Sequence, residues 1–124
     1  MSPSESSAFH VGRPGLRKLL GDLEADIMEE IWRRGDAEVA VRDVHAALEP
    51  TRPLAYTTVM TVMGNLAKKG LLSVRRDGKV HFYRATQTRE AFTEGAVARI
   101  VDDLMSDFAG PALAHFARAM GRTP

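Results

Sequence analysis

The chemistry in this sequence begins with Thr57, Thr58, Thr61, Asn65 and Lys68. They lie in the run Ala55-Tyr-Thr-Thr-Val-Met-Thr-Val-Met-Gly-Asn-Leu-Ala-Lys-Lys69. They offer hydroxyls, an amide and a cation, and the run contains no carboxylate. A helix face that only needs to stay in water usually mixes Glu with Lys. Hydroxyls, an amide and terminal lysines can instead lie against phosphate oxygens and base edges. A second group, Arg75, Arg76 and Lys79, brackets Asp77-Gly78. Charged turns are commonly just solvated. This one follows the basic end of the run, so both can serve one polyanionic partner.

Other chemistries find little support. There is no nucleophile motif, Gly-rich phosphate loop or metal pair, which argues against an enzyme. His10, His45, His81 and His115 show no ligand spacing, and with zero cysteines there are no disulfides and no thiolate metal site, so no metal or cofactor is expected. The lack of cysteine also fits a cytoplasmic location. No run of about 18 apolar residues suggests membrane insertion, and Met1 to Ala8 lack the features of a secretory signal. The chain has 124 residues, is 44% apolar and carries a net charge of only +1. Its charge is unevenly placed, however. Between Gly21 and Pro50, Asp22, Glu24, Asp26, Glu29, Glu30, Asp36, Glu38, Asp43 and Glu49 oppose only arginines 33, 34 and 42. Between Thr51 and Arg84, Arg52, Lys68, Lys69, Arg75, Arg76, Lys79 and Arg84 oppose only Asp77. An acidic third precedes a basic third, an electrostatic footprint with a location.

The elements that position these groups follow from periodicity. Residues 1–20 are rich in Ser, Pro and Gly and read as a flexible tail, in which Arg13, Arg17 and Lys18 could touch a polyanion. A first helix runs from about Leu23 to Arg34, capped by Asp22 and stopped by Gly35, with Trp32 as a core plug. Glu38-Val39-Ala40 is an extended link or small edge strand. A second helix spans about Val41 to Leu48 and ends before Pro50 and Pro53. The third is the opening run itself: Val59, Val62, Met63 and Leu66 form its buried stripe, and Gly70 closes it. Gly64 within it allows close approach by either a packed helix or DNA. Asp77-Gly78 marks a type I′ hairpin, with Leu72 and Val74 alternating on one strand and Val80 and Phe82 on the other. Thr86 or Thr88 caps a long helix over Arg89 to Phe108, with apolar Phe92, Ala96, Val97, Ile100, Val101, Leu104, Met105 and Phe108. Gly110 and Pro111 start a short last helix with Leu113, Phe116, Ala117 and Met120. These two helices pack either on the preceding domain or on a second copy. The second arrangement is favoured because the earlier elements already close a core.

Three helices and a basic hairpin make a winged helix-turn-helix, with the third helix in the major groove and the hairpin wing on the adjacent backbone. The fold class is therefore mainly α with a small β-hairpin wing, over residues 21–86, followed by a C-terminal helical dimerisation segment over 87–124. The candidate DNA contacts are Arg52, Tyr56, Thr57, Thr58, Met60, Thr61, Asn65, Lys68, Lys69, Arg75, Arg76 and Lys79. The candidate dimer contacts are Phe92, Val97, Ile100, Val101, Leu104, Met105, Phe108, Leu113 and Phe116. A winged helix used only for protein contacts is the alternative; it would carry an apolar or acidic third helix.

Leu20-Gly-Asp-Leu-Glu-Ala-Asp-Ile-Met-Glu-Glu-Ile-Trp32, Val41-Arg-Asp-Val-His45, Tyr56-Thr-Thr-Val-Met-Thr61 and Asn65-Leu-Ala-Lys-Lys-Gly70 follow in order, with Leu71-Leu72 behind them. This ordered set resembles the penicillinase-repressor family, which includes β-lactamase, methicillin-resistance and copper-responsive repressors. The resemblance implies a homodimer on double-stranded, palindromic operator DNA, controlling β-lactamase or related stress and resistance genes. It also implies inactivation through a membrane-linked sensor-protease pathway that cuts the C-terminal helices. By position His115-Phe116 matches the family's cleavable Asn-Phe bond, with His in place of Asn. Better-known members carry a lysine where Thr57 stands and an arginine where Met60 stands, and the copper branch carries cysteines that this chain lacks.

Overall fold

A computed structural model describes residue 16 and residues 19–121 of the chain. Most of the expected tail, including Arg13, Arg17 and Lys18, lies outside the described residues, as does His10. The end of that stretch differs from expectation: Leu16 and Leu20 are both buried. The chain divides into two compact units, with the boundary between Arg89 and Glu90.

In the first unit, α1 spans Asp22–Arg33, β1 Val39–Ala40, α2 Val41–Leu48, α3 Tyr56–Lys68, β2 Leu72–Asp77 and β3 Val80–Ala85. The cap of α1 is Gly21 rather than Asp22. The Glu24 carboxylate accepts a 3.4 Å bond from the Gly21 N–H. The same reach-back recurs at α2, where the Ala40 N–H donates to Asp43 at 3.0 Å. Each carboxylate satisfies an amide at a helix start, where negative charge is also favoured by the helix dipole. At the other ends, Gly35 (φ 68°) and Gly70 (φ 86°) take up left-handed backbone. At Gly70 this lets the Leu71 N–H reach back to the Leu66 carbonyl at 2.9 Å and close α3.

The core comes from one stripe of each helix. Ile27, Met28 and Ile31 of α1, Val44 of α2 and Val59, Met63 and Leu66 of α3 are almost completely buried, together with Val39 of β1. Burial of each such side chain stabilises the fold by about 1.5–3 kcal/mol. Trp32 is not the expected core plug. It is half-buried, and its Nε1–H donates to the Gln87 carbonyl at 3.0 Å. It thereby ties α1 to the segment that follows the sheet.

The three strands form an antiparallel sheet in the order β1-β3-β2, so the expected small edge strand exists and pairs with the wing. The hairpin turn differs from expectation by one residue. Asp77 pairs with Val80, leaving Gly78-Lys79 as the two-residue loop. Gly78 has φ 63°, and among the described residues no non-glycine residue has positive φ. Glycine at the first central position is the pattern of a type II′ turn, whereas type I′ needs positive φ at both. Register then decides which side chains turn inward. Val74 faces Tyr83 and Leu72 faces Ala85, while Arg75 faces Phe82. Opposed residues share a face, so Phe82 and Val80 lie on the side away from Leu72 and Val74. Tyr83 is the buried residue of β3, Phe82 is half-buried and Val80 exposed.

The second unit holds all but the first residue of α4, Arg89–Gly121, whose helical geometry is interrupted at Phe108 (φ −139°, ψ 46°). The interruption lies two residues ahead of the expected Gly110. Pro111 explains it. Proline has no N–H to donate and its ring clashes with the carbonyl four residues back, so the ladder opens just before it.

Candidate nucleic-acid interface

On α3, Val59, Met63 and Leu66 face the core. Tyr56, Thr57, Thr58, Met60, Thr61, Asn65 and Lys68 are all exposed. Positions 57, 60, 61, 64 and 68 follow the i, i+3, i+4 spacing of a single face. The exposed face therefore combines methyl, thioether, hydroxyl and amide groups with one lysine at its end. Nothing lies within 4 Å of where a Gly64 side chain would begin. Among the described residues, then, no helix packs against Gly64.

The entry to α3 is held from two sides. His45 of α2 sets its ring against Tyr56, with centroids 5.8 Å apart in an edge-on arrangement. Its Nε2 lies 2.7 Å from the Leu54 carbonyl and 3.0 Å from the Glu49 carboxylate. Both neighbours are acceptors, so Nε2 carries the proton. Arg52, in the loop before α3, reaches back to Asp26 of α1 at 3.2 Å. Asp26 is only 6% exposed, and an ionised carboxylate at such a site needs a partner. Arg52 therefore locks the incoming loop to α1. Tyr83 joins the wing to this region. Burial pushes its phenol up, the Tyr56 charge adds to the rise and Arg76 opposes it.

The structure divides the candidate cations into two groups. Three are held by acids from the front of the chain: Arg52 by Asp26, Lys69 by Glu24 at 2.6 Å, and Arg75 by Glu38. The Glu38 pair is bidentate, with Arg75 Nε and Nη2 2.8–3.1 Å from the two carboxylate oxygens. The same guanidinium lies 4.9 Å from the centroid of the Phe82 ring. Hydrogen bonding from Arg75 holds the Glu38 carboxyl below the usual carboxylate range. Lys68, Arg76 and Lys79 make no ion pair among the described residues. Of the candidate cations, these three are left open to a polyanion. Sequence reasoning missed Glu24, Asp26, Glu38 and the ring contact of His45, because nothing in a linear charge count indicates which acid will meet which cation.

Along α4, Phe92 and Ala96 are the buried residues. Val97, Ile100, Leu104, Phe108, Leu113, Phe116 and Met120 are exposed, with Phe108 at 58% and Met120 at 73%. Val101 and Met105 are half-buried, and His115 is exposed. So many large apolar groups in the open mark an interaction surface. No helix among the described residues is long and apolar enough to cross a membrane, and no cluster of metal-ligating side chains occurs among them.

Comparison with known proteins agrees with this arrangement. The family model described as penicillinase repressor matches residues 20–123. The chain is 42% identical over 106 residues to the transcriptional regulator BlaI of Mycobacterium tuberculosis, covering 82% of this chain and 74% of that protein. It is 31% identical over 91 residues to an uncharacterised 16.5 kDa protein of Latilactobacillus sakei, covering 73% of this chain and 61% of that one. Among solved structures, the DNA-binding domain of the repressor BlaI superposes with a TM-score of 0.50 at 26% identity, over 56% of this chain and 83% of that domain.

Proposed function

This chain belongs to the penicillinase repressor family, and on that premise we propose that it represses transcription as a homodimer, α3 of each protomer entering the major groove of one half of a palindromic operator. It is a DNA-binding transcriptional regulator with a winged helix-turn-helix fold, not an enzyme. One observation carries the finer reading. The exposed face of α3 runs from Thr57 to Lys68 without a carboxylate, and Arg76 and Lys79 of the neighbouring wing have no acidic partner among the described residues. A helix of about 20 Å presents such a face along a groove about 12 Å wide. Lys68, Arg76 and Lys79 then lie on phosphate, while Tyr56, Thr57, Met60 and Thr61 meet base edges.

The exposed apolar stripe of α4, from Val97 to Phe116, supports the dimer, because a second copy is the partner that two-fold operator symmetry requires. Phe92 is buried in the single chain and is left out of that interface. The resemblance extends the proposal to release by proteolysis at the exposed His115-Phe116 bond after a membrane sensor is triggered, and to β-lactamase or related resistance genes as targets.

The decisive experiment is selection of genomic fragments with the purified protein, followed by a salt titration on the selected duplex. Three open cations per protomer predict a log–log salt slope of about −5 for the dimer. A flat salt response, or selection of no common sequence, overturns the operator reading. Sequencing of the chain recovered from induced cells tests the proteolytic step; an intact chain in derepressed cells overturns it.

A further inference from the structure

We propose that α3 selects its operator through thymine methyl groups rather than through guanine edges, with Met60 at the centre of the contact. The proposal rests on the DNA-binding reading and specifies what that face reads. Guanine is recognised by Arg or Lys forked onto O6 and N7, and cytosine by a carboxylate accepting from N4. Between Tyr56 and Gly64 this helix has neither cation nor acid nor glutamine. The side chains that do stand in the open there are Tyr56, Thr57, Thr58, Met60 and Thr61. Met60 is 44% exposed and Tyr56 46% exposed, although both are large apolar groups that would ordinarily be covered.

The exposure of these two residues is built into the fold. The Tyr56 ring is held edge-on by His45, which is itself bonded to the Leu54 carbonyl. Met60 lies one turn further along the same face, next to Thr57 and Thr61 and one turn before the open space at Gly64. A thioether and two threonine methyl groups at helical spacing form a small apolar ridge on an otherwise polar surface. The major groove offers one apolar partner for such a ridge, the C5-methyl of thymine. Methionine, unbranched and adaptable, fits around a projecting methyl group. The threonine hydroxyls flanking the ridge can bond to either base of a pair and add little discrimination of their own.

The test uses the full chain and the duplex obtained by selection. Thymines of each half-site are replaced one at a time by deoxyuridine, which removes only the C5-methyl, and affinity is measured at fixed salt. At one or more thymines in each half-site the affinity should fall about fourfold, and about 15-fold when both half-sites lose that methyl. Met60→Ala should abolish the difference between thymine and deoxyuridine at the contacted position while the salt slope stays unchanged. Deoxyuridine without effect at every position, on a duplex still bound selectively, overturns the methyl reading and leaves the repressor reading standing. A greater loss from replacing guanines by 7-deazaguanine also overturns it. Loss of all sequence preference in the selection removes the repressor reading itself.

Discussion

Replacing Glu38 by glutamine isolates the part of the electrostatics that the fold controls. In the folded chain the Arg75 fork is occupied by the Glu38 carboxylate over contacts of 2.8–3.1 Å, and its plane is supported by the Phe82 ring at 4.9 Å. A guanidinium engaged in this way adds no net positive charge to the wing. Glutamine keeps the size and one acceptor but removes the charge, so Arg75 becomes available to a neighbouring phosphate. Each additional phosphate contact steepens the salt slope by about 0.9, so a dimer with two released arginines gains about 1.8. Over a fourfold change of salt that amounts to about a 12-fold greater loss of affinity for Glu38→Gln than for the parent. The assay is binding to a non-specific duplex between about 50 and 200 mM salt, the range over which phosphate contacts are read most directly. The companion variant Arg75→Gln should leave the parent slope unchanged, because the paired arginine contributes no phosphate contact. If Arg75→Gln by itself flattens the slope by about 1.8, DNA already displaces Glu38 and the reasoning is refuted. Glu24→Gln should release Lys69 in the same manner.

Three further outcomes follow from other parts of the structure. Ile100→Asp or Leu104→Asp places a charge in the exposed apolar stripe of α4 and should yield monomers; sedimentation identical to the parent refutes the assignment of that stripe to the dimer. Gly64→Ala fills open space in a helix interior, so it should raise stability by about 1 kcal/mol in a denaturant titration. The same variant should weaken operator binding if DNA uses that gap; no gain in stability contradicts the open space seen there. Acid should destabilise the fold through Glu30 and Glu38. Burial pushes Glu30 up, but hydrogen bonds and charges from Arg33 and Arg34 outweigh it and leave the carboxyl below its ordinary range; Glu38 is lowered chiefly by its bond from Arg75. Both folded-state values lie below the unfolded value of about 4.3, so their stabilisation is complete above that pH and is lost as pH falls through the depressed values. Melting curves between neutral pH and about pH 3 should show a smaller acid loss when both are glutamine; an equal loss removes this account.

Much of the interface was legible in the chain because it depends on local periodicity. The stripe of Val59, Met63 and Leu66 announces which face of α3 is buried, and a stripe implies its opposite, so the exposure of Thr57, Met60 and Thr61 followed without coordinates. Gly35 and Gly70 ended their helices for a reason that needs no tertiary information, the low cost of left-handed backbone at glycine. The hairpin was legible in kind but not in register. Asp77-Gly78 suggested a type I′ turn, yet the pairing of Asp77 with Val80 moves the loop onward by one residue. Counting through any two-residue loop would have shown that Leu72 shares a face with Tyr83 and not with Phe82, so the identity of the inward aromatic was a missed inference. The loss of the core role expected for Trp32 was not readable, since its hydrogen bond goes to Gln87, 55 residues away.

By itself the sequence determined the order of elements, the face of α3 that stays exposed, the kinds of groups on that face and the membership of the chain in a family of repressors. These are set by composition and by spacing along one helix or one turn, where neighbours in sequence are neighbours in space. Only the tertiary structure decided how much of the positive charge is available. The acidic third and the basic third appear as separate blocks along the chain, but folding brings Glu24 to Lys69 across 45 positions and Glu38 to Arg75 across 37. Coulomb attraction depends on distance through space and on which side chains the core packing turns towards one another. The packed helices and the β1-β3-β2 sheet settle that pairing, leaving Lys68, Arg76 and Lys79 as the open cations of the candidate interface.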